Sequence, residues 1–198
     1  MTPTPLDLSR YLVIDLEASG IHPDSWPTEL AWGDPVTGII QSRLIRPENE
    51  WTHWDPAAEA ITGISRARLL VEGSAPAEVT ALLAAAANGK ILISDAPRFD
   101  GFWLRRLVDA AGFPGGFRIG HVQELWLDLA AHTIPDSPHG ARDAMMIDRK
   151  RQALIQAARK AANETAAPAH RAGADVAHHL AVLTSIMTPD PQKPEITT

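Results

Sequence analysis

The sequence predicts an α/β fold built on a mixed five-stranded sheet. Short apolar runs of strand length stand at Tyr11–Ile14 and Ile91–Ile93, and Ile39–Ile45 is a further strand candidate. The first three strand candidates follow one another through short, turn-rich links, as antiparallel neighbours do. The later strand candidates alternate with helical segments, as parallel neighbours require.

In chain order, Tyr11-Leu-Val-Ile14 ends in Asp15 and reads as a buried strand. Glu29–Gly33 and Ile39–Ile45 follow, joined by Asp34-Pro-Val-Thr-Gly38, a link of hairpin length. Asp55–Ile61 has helical character. Ser74 is placed to cap a clearer helix, with Pro76 early and Val79, Leu82, Leu83 and Ala86 on one face, stopped by Gly89. Ile91–Ile93 is the fourth strand. Gly101–Ala111 reads as a helix with Trp103, Leu104, Leu107 and Val108 inward, closed by Gly112. Arg118–Val122 is the fifth strand and Glu124–Ala131 a helix. Ile134–Gly140 is a Pro-bearing loop, ahead of a long helix over Ala141–Asn163 and a last one over Gly173–Met187. Residues 1–10 are expected to be an N-terminal extension and 11–187 the folded domain. Residues 188–198, with three prolines, are expected to be a flexible tail.

Composition narrows the function. A chain of 198 residues, 45% apolar and 21% charged, suits one globular domain. It has no Cys, which removes disulfides, thiolate metal ligands and cysteine nucleophiles. No stretch is apolar enough to span a membrane, and Met1–Pro5 lacks the pattern of a secretory signal. A cytoplasmic protein without a membrane partner is expected. The net charge is −6, from 18 Lys and Arg against 24 Asp and Glu, and by itself argues against a general nucleic-acid coat protein.

Three places carry chemistry. Asp15 and Glu17 stand at i and i+2 where the first strand ends, so period two puts both carboxylates on one face. Such a pair is costly beside a buried strand unless a cation neutralises it, although a strand end turning into solvent would hold the same residues. Asp100 sits at a strand–helix junction, where a capping role competes with a place in a site. His170 and Asp175, five apart, converge only if His170 lies on the loop ahead of the last helix, which Pro168 favours. His178 and His179 compete with His170 by residue type.

Together, Asp15-Leu-Glu17, Phe99-Asp100 and His170-x-Ala-x-x-Asp175 resemble the three signature segments of the DEDDh 3′–5′ exonuclease superfamily, which includes ribonuclease T and bacterial proofreading subunits. The resemblance runs from about Tyr11 to Leu183. Ser94-Asp-Ala-Pro, where many members carry His-Asn, looks like small stand-alone bacterial members and adds Asp95, of no assigned role.

The resemblance implies a ribonuclease H-like fold with helices on both sheet faces. It implies two Mg²⁺ or Mn²⁺ ions held by Asp15, Glu17, Asp100 and Asp175, with His170 as general base. Imidazole exchanges protons near neutral pH, which suits that task. Ala18 and Ser19 would lie near the terminal nucleotide, and Arg171 would touch phosphate or fix its loop. The implied partner is a 3′ end of DNA or RNA, single-stranded or frayed, cut to nucleoside 5′-monophosphates. An RNA trimmer and a catalytically silent binding module are the alternatives, and a homodimer is one expected state.

Six basic residues against two acids make Ala141–Asn163 locally basic, either as a phosphate-binding helix or as a solvated face. Trp32, Trp103 and Trp126 read as core, and Trp51 and Trp54, in a polar loop, as platforms for unpaired bases. Four of the acids are proposed metal ligands. Two divalent ions would add +4 to −6 and leave −2, so the acidic balance does not exclude nucleic acid.

Overall fold

A computed structural model describes residues 6–136 and 141–189. Residues 1–5, the 137–140 part of the Pro-bearing loop and the expected tail from 190 onward lie outside the described residues. The elements are β1 (Tyr11–Ala18), β2 (Pro27–Gly33), β3 (Ile40–Leu44), α1 (Pro56–Thr62), α2 (Arg66–Glu72), α3 (Pro76–Ala87), β4 (Ile91–Ser94), α4 (Pro97–Ala110), β5 (Ile119–His121), α5 (Val122–Thr133), α6 (Ala141–Thr165) and α7 (Ala172–Met187). A short 3-10 turn over Leu8–Arg10 precedes them.

The sheet runs in the order β3-β2-β1-β4-β5. Its first three strands are antiparallel, while β4 pairs parallel to β1 and β5 parallel to β4. Alternation along the central strand sorts its side chains between two cores. Leu12, Ile14 and Leu16 point to one face and pack with α2, α3 and α4 through Leu69, Val79, Leu83, Leu104 and Leu107. Val13 points to the other and packs with α5, α6 and α7 through Leu125, Ile155, Val176 and Leu183. Helices cover both faces, as expected for a ribonuclease H-like sheet. Asp15 and Glu17 continue the Val13 parity, so they leave the sheet on the α7 side.

α7 comes unusually close to β2. Gly33 lies where a Cβ would stand 2.6 Å from Val176 Cγ1 and 2.8 Å from Leu180 Cδ1. The missing side chain lets the helix pack directly on the strand.

The structure corrects several sequence-based boundaries. α2 was not anticipated, although Ser65 caps it by accepting from the Arg68 amide. α3 is capped at Ala75 with no side-chain bond, because the Ser74 backbone is engaged with Leu44 and Arg46 beside β3. α4 starts at Pro97 rather than Gly101, since proline suits the first helical position. Asp100 therefore lies inside the first turn and is no cap.

Trp51 and Trp54 are not base-stacking platforms. Trp51 is buried and stacks on Trp26 with ring centroids 5.5 Å apart. Trp54 packs against the same core, tilts over Trp26, and donates its Nε1–H to Glu59. The three indoles brace the long loop between β3 and α1, an apolar role that the loop's polar composition hides. Trp32 and Trp126 are buried as expected; Trp103 is half-buried and donates to Ser25 Oγ.

Candidate active site

The carboxylates meet at the C-terminal ends of β1 and β4, where open α/β sheets place their sites. A bulge between Glu17 and Ala18 ends the regular pairing with β2 there. Asp15 and Glu17 come from β1, Asp100 from the first turn of α4 and Asp175 from the first turn of α7. Asp15, Glu17 and Asp175 each bring a carboxylate oxygen within 4.8 Å of the others. Asp15 does the same with Asp95 and Asp100. Asp15 and Asp100 are buried, and an oxygen of each, Oδ2 in both, has no hydrogen-bond partner.

Burying like charges makes them hold protons. Asp15 is pushed up to about 9, first by burial and then by Asp100, Glu17 and Asp175. Glu17 rises to about 7 through burial and the nearby Asp175 and Glu29. Asp100 also rises to about 7, chiefly from burial. Asp175 is raised by burial, against the opposing pull of the Ala169 amide and His170. All-oxygen donors with unpartnered buried oxygens fit a hard divalent cation and leave it no need of sulfur or nitrogen. Such an ion must displace those protons. The apparent Mn²⁺ affinity is therefore expected to rise with pH across roughly 7 to 9. Titration calorimetry in buffers of different ionisation enthalpy would show proton release, and a pH-independent affinity would contradict the cause given.

The loop ahead of α7 is positioned by its own acid. Asp175 Oδ1 accepts from the Ala169 amide at 2.9 Å. His170 takes a left-handed backbone conformation, φ 51°, and stands exposed on the loop before the helix, the placement its spacing from Asp175 demands. His170 joins Asp15, Glu17, Asp175, Asp95 and Arg159 around an open cavity of about 520 Å³.

Glu29 was not singled out by the sequence. It is the cross-strand neighbour of Glu17, and a second bare carboxylate there would add to the repulsion. Instead, Arg171 grips it with Nε and Nη2 at 2.9 Å each, Ser42 Oγ donates at 2.6 Å and the Ala172 amide donates at 3.1 Å. These bonds hold Glu29 below the usual carboxylate range despite its burial. Of the two roles read for Arg171, fixing the loop is the one its contacts perform. No local pattern links Glu29 to Arg171 across 142 residues; only the register of β1 with β2 would have pointed to it. Arg171→Ala leaves Glu29 buried without its cation. It is expected to cost on the order of 2–4 kcal/mol, less than a fully enclosed pair because the guanidinium keeps solvent contact. Urea unfolding at neutral pH measures this, and a change within error would contradict it.

Ser19 faces inward: it is buried, and its hydroxyl accepts from the Trp26 amide at 3.1 Å. Ala18 is buried beside it at the end of β1. His178 Nδ1 bonds the Ala166 carbonyl at 2.9 Å, and so ties α7 to the end of α6. His179 is buried, which lowers it to about 4, and its Nε2 lies 3.7 Å from Asp95 Oδ2. From the basic helix, Arg151 is paired with Asp136, while Arg159 lies over the Trp126 ring and reaches the cavity. Among the described residues, no helix is long and apolar enough to cross a membrane.

No protein-family model and no curated protein matches this sequence. Solved structures do match, and they include exonucleases. Exonuclease I of E. coli in complex with a dA16 oligonucleotide superposes with a TM-score of 0.60 at 19% identity, over 90% of this chain and 41% of that one. A product-bound exonuclease I gives 0.57 at 17% identity, over 90% of this chain and 44% of the other. Exonuclease I from Methylocaldum szegediense gives 0.58 at 16% identity, again over 90% and 41%. This chain spans less than half the length of those proteins. What it shares with them is the fold.

Proposed function

We propose that this protein is a metal-dependent 3′–5′ exonuclease of the DEDDh type that releases nucleoside 5′-monophosphates from single-stranded or frayed ends. The observation that carries this reading is a pair of acidic groups sharing Asp15, one with Glu17 and Asp175 and one with Asp95 and Asp100, the first lining a cavity with His170, on a sheet folded like that of exonuclease I. Single-stranded DNA is the favoured substrate class, because the fold's neighbours include exonuclease I bound to dA16 and dT13 oligonucleotides. Those neighbours favour an exonuclease I-like module over the ribonuclease T-like type.

The four carboxylates would hold two divalent ions of the Mg²⁺ or Mn²⁺ type, which supply charge stabilisation at the scissile phosphate. The protein's own residues do the rest. His170 accepts the proton of the attacking water at a ring nitrogen. Asp175, by bonding the Ala169 amide, keeps that loop at the site. Arg171, clamped on Glu29, fixes the loop's other end. Arg159 offers the cavity a cation for a backbone phosphate.

The test uses 5′-labelled DNA and RNA oligonucleotides, linear and circular, with Mg²⁺ or Mn²⁺. The reading expects a metal-dependent ladder shortening from the 3′ end of linear DNA and no cutting of circles. Binding without shortening would make the protein a silent module. Faster shortening of RNA would make it an RNA trimmer, and cut circles would make it an endonuclease.

A further inference from the structure

Asp95 has no part in the ligand set that the resemblance supplies, yet the fold sends it into the acidic cluster. β4 lies parallel to β1 with Val13 level with Ile93. Two residues further, where β4 has ended, Asp95 comes level with Asp15. The chain then turns into α4, whose first turn carries Asp100. Asp15, Asp95 and Asp100 thus each place a carboxylate oxygen within 4.8 Å of the others.

Asp95 is not used as a helix cap. The N-cap of α4 is Ala96, and no side chain bonds the helix end. Asp95 is half-exposed, and its Oδ2 stands 3.7 Å from Nε2 of the buried His179, which flanks it on the α7 side. The two other members of the group are more than nine-tenths buried, at 8% exposure for Asp15 and 2% for Asp100. Both keep a buried Oδ2 with no donor. Three carboxylates within 4.8 Å of one another, two of them buried with one unpartnered oxygen each, call for positive charge that no lysine or arginine in this group provides.

We propose that Asp95, Asp15 and Asp100 form a cation site of their own, taking a divalent ion of the Mg²⁺ or Mn²⁺ type, beside the site formed by Asp15, Glu17 and Asp175. Asp15 belongs to both groups and links them. Asp95 is thereby a fifth metal ligand, and the second ion is anchored by the protein at three carboxylates. The proposal rests on the metal-dependent reading of the same cavity.

The test is direct binding of Mn²⁺ alone, followed by electron paramagnetic resonance of free Mn²⁺ and by calorimetry. Wild type, Asp95→Asn and Glu17→Gln are compared, with circular dichroism and melting curves as checks on folding. The wild type is expected to bind two ions. Asp95→Asn should weaken one of them by roughly tenfold or more and leave the other unchanged. Glu17→Gln should weaken the opposite one. A folded Asp95→Asn protein that binds two ions with wild-type affinity would overturn the proposal while leaving the nuclease reading intact. So would a wild type that binds a single ion. A wild type that binds no Mn²⁺ and shortens no oligonucleotide would remove the parent reading and the proposal with it.

Discussion

Asp15→Asn is expected to abolish metal-dependent shortening and, in the metal-free protein, to raise the melting temperature. Asp15 is the carboxylate common to both acidic groups, so its loss removes a carboxylate from each. The stability gain follows from proton linkage. In the folded, metal-free chain Asp15 is pushed up to about 9, against an ordinary value of 3.8. Between those values the unfolded chain carries the ionised form and the folded chain the protonated form, so folding takes up a proton. Stability is then highest at low pH and falls as pH rises toward 9. Asparagine carries no such penalty. The gain should be absent near pH 4, grow with pH and be largest near pH 9. In a chain of this size each kcal/mol is worth about 2–4 °C. Mn²⁺ should reverse the ranking, because it binds and stabilises the wild type and not the variant. Differential scanning calorimetry at pH 5 and pH 8.5, with and without Mn²⁺, measures all four cases. An Asn variant less stable than wild type at pH 8.5 without metal would show that Asp15 is held by a partner and not merely tolerated.

The same acids explain what could be read from the sequence. Asp15 and Glu17 were legible because period two is a property of any strand, and the apolar run before them identifies one. His170 and Asp175 were legible because only a loop–helix boundary lets residues five apart converge. Asp95 was not, since its place depends on the parallel register of β4 with β1, a pairing across 80 residues that no local pattern encodes. The bond between Arg171 and Glu29 was hidden for the same reason. Trp51 and Trp54 were misread because loop composition reports solvent contact on average, while Trp26, seven residues beyond Ser19, makes an apolar surface for them. The fold was thus legible wherever a local period or cap specified it, and the candidate site through three short segments whose resemblance to a known family joined residues of separate elements. Contacts between distant elements carried the rest.

Replacing His170 is expected to lower kcat by roughly 10²–10⁴ while leaving Mn²⁺ affinity unchanged, as loss of a general base does. The choice of variant matters, because His170 has a left-handed backbone, φ 51°. Alanine is strained there, whereas asparagine adopts that region readily. His170→Asn therefore keeps the loop and removes the imidazole, and His170→Ala removes both the imidazole and the backbone fit. Equal losses of kcat in the two would place the effect in the proton acceptor. A loss in Ala alone would place it in the loop. The neighbouring imidazoles are not equivalent substitutes. His178 bonds the Ala166 carbonyl through Nδ1, and the tautomer this sets leaves its Nε2 lone pair available. His179 is lowered to about 4 by burial, so it binds a proton too weakly to accept one from water near neutral pH. An unchanged kcat in His170→Asn would therefore place the proton on another group of this cavity, with His121 and His178 the imidazoles left. His121→Asn and His178→Asn, measured in the same assay, would separate the two cases.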